Sequence, residues 1–323
     1  MSGAEYFAKG SIDILNKLNI IDSICFGSEC GDIQILEQIA DILVKKENYI
    51  WNKTTQLMKS GNSFATSREL CLKEVLNQNM LKEICKSNNI LAIEYIKAIK
   101  KINSNIKTYT IKREGNEFND ITIAHQNSFA SATSIREAVF NQKFTDIENT
   151  VPNETLDLIQ KSNSLSNEAI FHILKYKIIS DKDILNKFNG VIEGLENKIL
   201  SAINISNTYT EFIHNIKSKR YAMSSIKRML LNILLNISKE DFNQIKNNNI
   251  NYAHILSISE KGKNLLSQIS KKSNIKVLTN INNDIINDLD NISKKSLELD
   301  IYATNIYNSL LNENINKDYT NKL

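Results

Sequence analysis

Residues suited to phosphate chemistry gather at three places in the chain. The first is "SFASATSIREAVF", Ser128 to Phe140. The spacing of Ile135, Ala138 and Val139 begins a helical apolar stripe. Ser134 and Glu137 have the S-x-x-E spacing of a capping box. A helix start presents unpaired N–H groups and partial positive charge, so Thr133 and Ser134 mark a place where a phosphate could be held. Arg136 adds a planar fork of donors suited to phosphate oxygens. The same spacing serves equally as an ordinary capped helix start. The second place is Gly27, at the end of the apolar run Ile20 to Phe26. Such a run reads as a buried parallel strand. A glycine at its carboxyl end lets a ligand approach the backbone, where open α/β sheets bind their ligands, although a plain turn glycine would look the same. The third is "KSKRYAMSSIKRMLL". There Arg220, Ser224 and Lys227 share one helical face, with Arg228 beside them, while Ile226, Met229, Leu230, Ile233 and Leu234 form the opposite, apolar face.

The elements that must position these residues follow an α/β order in the first half. Phe7, Ser11, Ile14, Leu15 and Leu18 suit a helix packed on a sheet. After the strand ending near Gly27, helices are expected over 33–59 and 63–78. Another, capped by Ser87 or Asn88, would turn Ile90, Leu91, Tyr95 and Ile96 inward. "IKTYTIKRE" alternates and is rich in β-branched residues, so it reads as a second strand. A polar loop, 115–127, leads into the Ser128 segment. Two or three strands are few for a doubly wound sheet. From Pro152 onward the pattern is almost wholly helical.

Composition narrows the function classes. With 41% hydrophobic and 24% charged residues, the 323-residue chain is ordinary for a globular protein. One proline and nine glycines favour helices. No apolar run reaches membrane-spanning length, and no secretory signal is expected. Cys25, Cys30, Cys71 and Cys85 form no C-x-x-C pair, and His125, His172, His214 and His254 form no H-x-x-H or H-x-x-x-H pair. A reducing cytoplasm fits, and a zinc site does not. Residues 204–276 hold 12 Lys or Arg against 4 Asp or Glu, a net +8 in a chain whose total is +4. That basic block suits a phosphate-rich partner, or a lysine-rich solvated surface.

Taken in order, "AEYFAKGSIDILN", "CFGSECGDI", "NNILAIEY", "SFASATSIREA", "IEGLENKI", "KSKRYAMSSIKRMLL" and "LDIYATNIY" resemble the bacterial tRNA(Met) cytidine acetate ligases. The resemblance runs from Ala4 to Tyr307. It implies an α/β plus all-α chain, in which a truncated Rossmann-like nucleotide-binding domain (1–148) precedes an α-helical tRNA-binding domain (149–275) and a C-terminal segment (276–323) packs back on the rest. It implies an ATP-dependent ligase that activates acetate as acetyl-adenylate, with Mg2+, and acetylates N4 of the wobble cytidine of elongator tRNA(Met). Carried over, Gly27, Asn88 and Arg136 contact ATP, Thr133 and Ser134 form the phosphate-binding helix start, and Arg220, Lys227 and Arg228 bind tRNA. Family members also carry a P-F-H-N-G-H loop near their N-terminus. No H-x-G-H occurs here, so the family's N-terminal segment is expected to be missing and the chain alone to be a poor catalyst. A non-catalytic RNA-binding remnant and a nucleotidyltransferase acting on a small molecule are the rival readings.

Overall fold

The structure, a computed structural model, describes residues 3–114, 130–162, 165–218 and 221–320. It opens with helix α1 (Ala4–Lys17) and strand β1 (Ser23–Ser28), then α2 (Ile33–Lys45), α3 (Glu47–Lys59), α4 (Phe64–Val75), α5 (Gln78–Ile84) and α6 (Ser87–Lys101). Strand β2 (Lys107–Lys112), α7 (Ala132–Phe140) and α8 (Asn153–Lys161) follow. The rest comprises α9 (Asn167–Ser180), α10 (Leu195–Ile205), α11 (Tyr209–Ile216), α12 (Met223–Leu234), α13 (Lys239–Asn247), β3 (Tyr252–His254), α14 (Glu260–Lys272) and β4 (Lys276–Leu278). Helices α15 (Asn283–Asn287), α16 (Asn291–Leu310) and α17 (Lys317–Thr320) end the described chain.

These elements form two compact units, one of Ser23–Lys101 and Lys107–Leu165, the other of Met1–Asp22, Ile102–Ile106 and Ser166–Leu323. The units do not divide at the expected boundaries, 148/149 and 275/276. In the first unit β1 and β2 pair in parallel, Ser23 opposite Lys107 and Gly27 opposite Ile111. Two parallel strands need a crossover, here α2 to α6. Leu36, Ile39, Ala40 and Leu43 of α2 and Ala92, Ile93 and Ile96 of α6 form its core, with Phe26 of β1 packed against them. The ring of Phe26 stacks on Tyr95, centroids 6.0 Å apart. Ile90, expected to point inward, is exposed. The single helix expected over 33–59 is two, because the backbone at Lys46 (φ −103°, ψ 16°) leaves the helical region between α2 and α3.

The second unit has a helical core of Phe171, Leu174, Ile178, Ile199, Phe212, Ile226, Leu230 and Ile233, among others, from α9 to α12. As the pattern after Pro152 suggested, it is almost wholly helical, with one small sheet besides. Strands β3 and β4 pair in parallel, Tyr252 opposite Lys276. They are only three residues each, too short for alternation to show in sequence. Helix α1 belongs here. Its Ile14 and Leu15, with Leu18, pack around Ala253 of β3, Ile269 of α14 and Val277 of β4. Lys17 secures the join: its carbonyl accepts from the Asn274 N–H at 2.8 Å, and its ammonium donates to the Ile250 carbonyl at 3.0 Å. The expectation of a helix on a sheet holds, but the sheet is the one at the far end of the chain.

Candidate nucleotide site

The carboxyl ends of β1 and β2 lie side by side, and the backbone N–H of Arg113 donates to the Ser28 carbonyl at 2.9 Å. Ser28, fully buried, shares a 2.7 Å hydrogen bond with Thr110 of β2 and accepts from the Gly31 N–H at 3.0 Å. These bonds turn the chain sharply after β1. Gly31 makes that turn at φ 65°, and a Cβ placed there would lie 2.5 Å from Cβ of Lys112. Gly27 has no such demand. It is exposed within β1, and its added Cβ would meet only Cγ of Arg113 at 3.7 Å, an ordinary contact. Room for a further carbon beside Gly27 is compatible with a nucleotide approaching the strand ends. Asp32 ends the turn by capping α2, accepting from the Gln34 and Ile35 N–H groups at 2.9 and 3.3 Å.

The loop is tied to the start of α6 by an exchange of hydrogen bonds. Glu29 Oε1 accepts from the backbone N–H and Nδ2 of Asn88, at 3.0 and 2.8 Å. Glu29 Oε2 accepts from the Asn89 N–H at 2.9 Å. In return, Asn89 Oδ1 accepts from the Glu29 N–H at 2.9 Å and more loosely from the Cys30 N–H. Asn89 is fully buried, and its Nδ2 donates to the Glu83 carbonyl and carboxylate. Burial acts to raise the Glu29 pKa, but the bonds from Asn88 and Asn89 prevail and hold it below its ordinary value. Asn88 is thus joined, through Glu29, to the loop that follows β1. The residues that join them, Glu29, Asn89 and Gly31, escaped sequence reasoning, as did Arg113. An E two residues after a candidate site glycine and a second N beside Asn88 were the only signals.

At α7 the cap is Ser131, not Ser134. Ser131 Oγ accepts from the Ser134 N–H at 3.0 Å, and the buried Ser134 hydroxyl donates back to the Ser131 carbonyl at 2.9 Å. Glu137 closes no capping box with Ser134. Its carboxylate accepts from Asn141. The helix begins three residues earlier than the S-x-x-E spacing suggested because Ser131 occupies the extended backbone (φ −71°, ψ 151°) that a cap requires. Arg136 is therefore the fifth helical residue. It is exposed and without a hydrogen-bond or ion-pair partner among the described residues. The N–H groups of Ala132 and Thr133 have no acceptor there either. Ser128, with which the segment was read to open, lies outside the described residues.

In the other unit, Lys227 is exposed on α12, and Arg228, partly buried, donates to Ser225 Oγ at 3.2 Å. The apolar face of that helix is buried as its spacing predicts: Ile226, Met229, Leu230, Ile233 and Leu234 are each at most 6% exposed. Arg220 lies outside the described residues. Among the described residues no group of three or more His, Cys, Asp or Glu side chains could hold a metal ion, and no helix is long and apolar enough to cross a membrane.

Three comparisons bear on this arrangement. The family described as HIGH Nucleotidyl Transferase matches residues 1–322. The tRNA(Met) cytidine acetate ligase of Thermoanaerobacter sp. (strain X514) is 39% identical over 312 residues, 95% of this chain and 76% of that protein. The crystal structure of apo Thermotoga maritima TmcAL superposes with a TM-score of 0.87 at 27% identity, covering 96% of this chain and 77% of that one. The same protein bound with alpha-thio ATP matches with a TM-score of 0.85 at 25% identity, over 99% and 79%. Matches that span the chain in this way do not bear out the expectation of a missing N-terminal segment. The α/β unit and the helical unit are the expected fold class. The chain belongs to the HIGH nucleotidyl transferase family and, within it, to the tRNA(Met) cytidine acetate ligases.

Proposed function

We propose that this protein binds ATP at the carboxyl ends of β1 and β2, activates acetate as acetyl-adenylate and acetylates N4 of the wobble cytidine of elongator tRNA(Met). The observation that carries the reading is the parallel β1–β2 pair whose following loop is tied to the start of α6, because such sheets bind ligands beyond their carboxyl ends. An acetate oxygen attacks the α-phosphorus and pyrophosphate leaves. The cytidine N4 then attacks the acyl carbon, releases AMP and loses a proton. Negative charge grows on phosphate oxygens in the first step. Arg136 and the N–H groups of Ala132 and Thr133 are suited to meet it, with Ser134 holding the helix start in shape. Gly27 and Asn88 border the nucleotide. Mg2+ carried by the triphosphate would supply further neutralisation of the phosphate charge. Lys227, Arg228 and Arg220 meet the tRNA backbone, and the reaction belongs to the cytoplasm.

None of the four histidines stands in an H-x-G-H pattern. That same observation supports a second reading, a tRNA-binding protein without catalysis. Calorimetric ATP titration, followed by acetate-dependent ATP–pyrophosphate exchange, separates the two. ATP binding that weakens by about 1.5–3 kcal/mol in Arg136→Ala supports the nucleotide site. No ATP binding with intact tRNA binding favours the second reading.

A further inference from the structure

We infer that Glu29 is a positioning residue that fixes the side-chain amide of Asn88 so that its Oδ1 accepts from the exocyclic amine of the nucleotide's base, making the site selective for adenine over a 6-oxopurine. An asparagine amide carries two donors on nitrogen and an acceptor oxygen, and in isolation its two orientations are nearly equivalent. Beside an ionised carboxylate they are not, since a carboxylate only accepts. Glu29 Oε1 lies 2.8 Å from Asn88 Nδ2, so the nitrogen faces Glu29 and the oxygen faces away. Glu29 is itself immobilised by the two backbone N–H groups at the start of α6 and by the buried Asn89, which returns a bond to the Glu29 N–H. The lock therefore does not depend on the nucleotide being present. Oδ1 of Asn88 has no partner among the described residues, and Asn88 is only partly buried. A lone acceptor held in one orientation favours a donor and repels another acceptor. Adenine offers an amine at C6, whereas hypoxanthine and guanine offer a carbonyl oxygen there.

Glu29 also closes the start of α6 to any phosphate. Its carboxylate occupies the Asn88 and Asn89 N–H groups and sets a negative charge against the positive end of the helix. The phosphate chain is thereby left to α7, and the α6 side of the site to the nucleoside.

The inference rests on the ATP-binding reading above, and the test separates the two. ATP and ITP are titrated by calorimetry into the full chain, into Glu29→Gln, into Asn88→Ala and into the double variant, with thermal midpoints recorded for each. Wild-type protein should prefer ATP over ITP by at least about tenfold. Asn88→Ala should bring the ratio close to one, chiefly by losing ATP affinity. Glu29→Gln frees the amide to turn, so it should lower the ratio several-fold. In the Asn88→Ala background it should add nothing to the ratio, because its effect passes through Asn88. Equal binding of ATP and ITP by the wild type overturns the inference while leaving ATP binding intact. So does a Glu29→Gln effect on the ratio that persists without Asn88. If Glu29→Gln does not fold, the Asn88→Ala ratio decides: an unchanged preference for ATP overturns the inference. No binding of either nucleotide defeats the ATP-binding reading and the inference with it.

Discussion

Two glycines four residues apart carry opposite demands. Gly31 adopts φ 65°, with Lys112 where its Cβ would be. Gly31→Ala should therefore destabilise the protein by about 2–4 kcal/mol, from left-handed strain plus a clash with a strand neighbour. Gly27→Ala should stay within about 1 kcal/mol of wild type, since its Cβ meets only a side-chain carbon at 3.7 Å. Urea midpoints for the two variants check this. If both unfold alike, the space beside Gly27 is not open. Glu29 makes a second prediction, on pH. Its folded pKa lies below its ordinary 4.5, so its contribution to stability is fully present above about pH 4.5 and is lost as pH falls through the lowered value. Glu29→Gln cannot titrate. Its urea midpoint should therefore fall less steeply than that of the wild type on acidification below pH 4.5, with the two curves parallel at neutral pH.

Helix starts show how local and distant chemistry share the work of capping. Ser131 caps α7 and Ser63 caps α4 from within their own segments, and both positions are readable from sequence in principle. Helix α6 follows Lys86, which has no side-chain oxygen, and the N–H groups of Asn88 and Asn89 in its first turn are satisfied by Glu29, 59 residues away from Asn88. Ser131→Ala should lower stability by about 1 kcal/mol for the lost cap, in a denaturation series with Arg136→Ala, which should change it by less than about 0.5 kcal/mol because that side chain is exposed and unpaired among the described residues. A Ser131→Ala variant as stable as the wild type would remove Ser131 as the cap.

At the scale of the molecule, Lys227 and Arg228 fall in one unit and the candidate nucleotide site in the other. Lys227 and Arg228 stand on α12, whose apolar face is the buried one, so replacing both with Ala should leave folding intact. It should weaken tRNA binding and reduce the slope of log affinity against log salt by about 1–2. A filter-binding titration across salt concentrations measures it, and an unchanged slope removes both residues from the tRNA surface. The amphipathic spacing of α12, the alternation of β2 and the family itself were all legible along the chain, because side-chain periodicity and motif order are local properties. What the sequence could not show was pairing at a distance. The core of α1 residues with β3, α14 and β4 joins residues about 250 positions apart, and hydrophobic burial takes no account of chain order. The need for glycine at 31 depends on Lys112 across the strand pair, and the orientation of Asn88 on a carboxylate from another loop. Residue type and spacing thus determined which groups could meet a phosphate or a nucleic acid. Only the tertiary structure decided which of them are held in place, because a hydrogen bond acts over about 3 Å between atoms brought together by the fold.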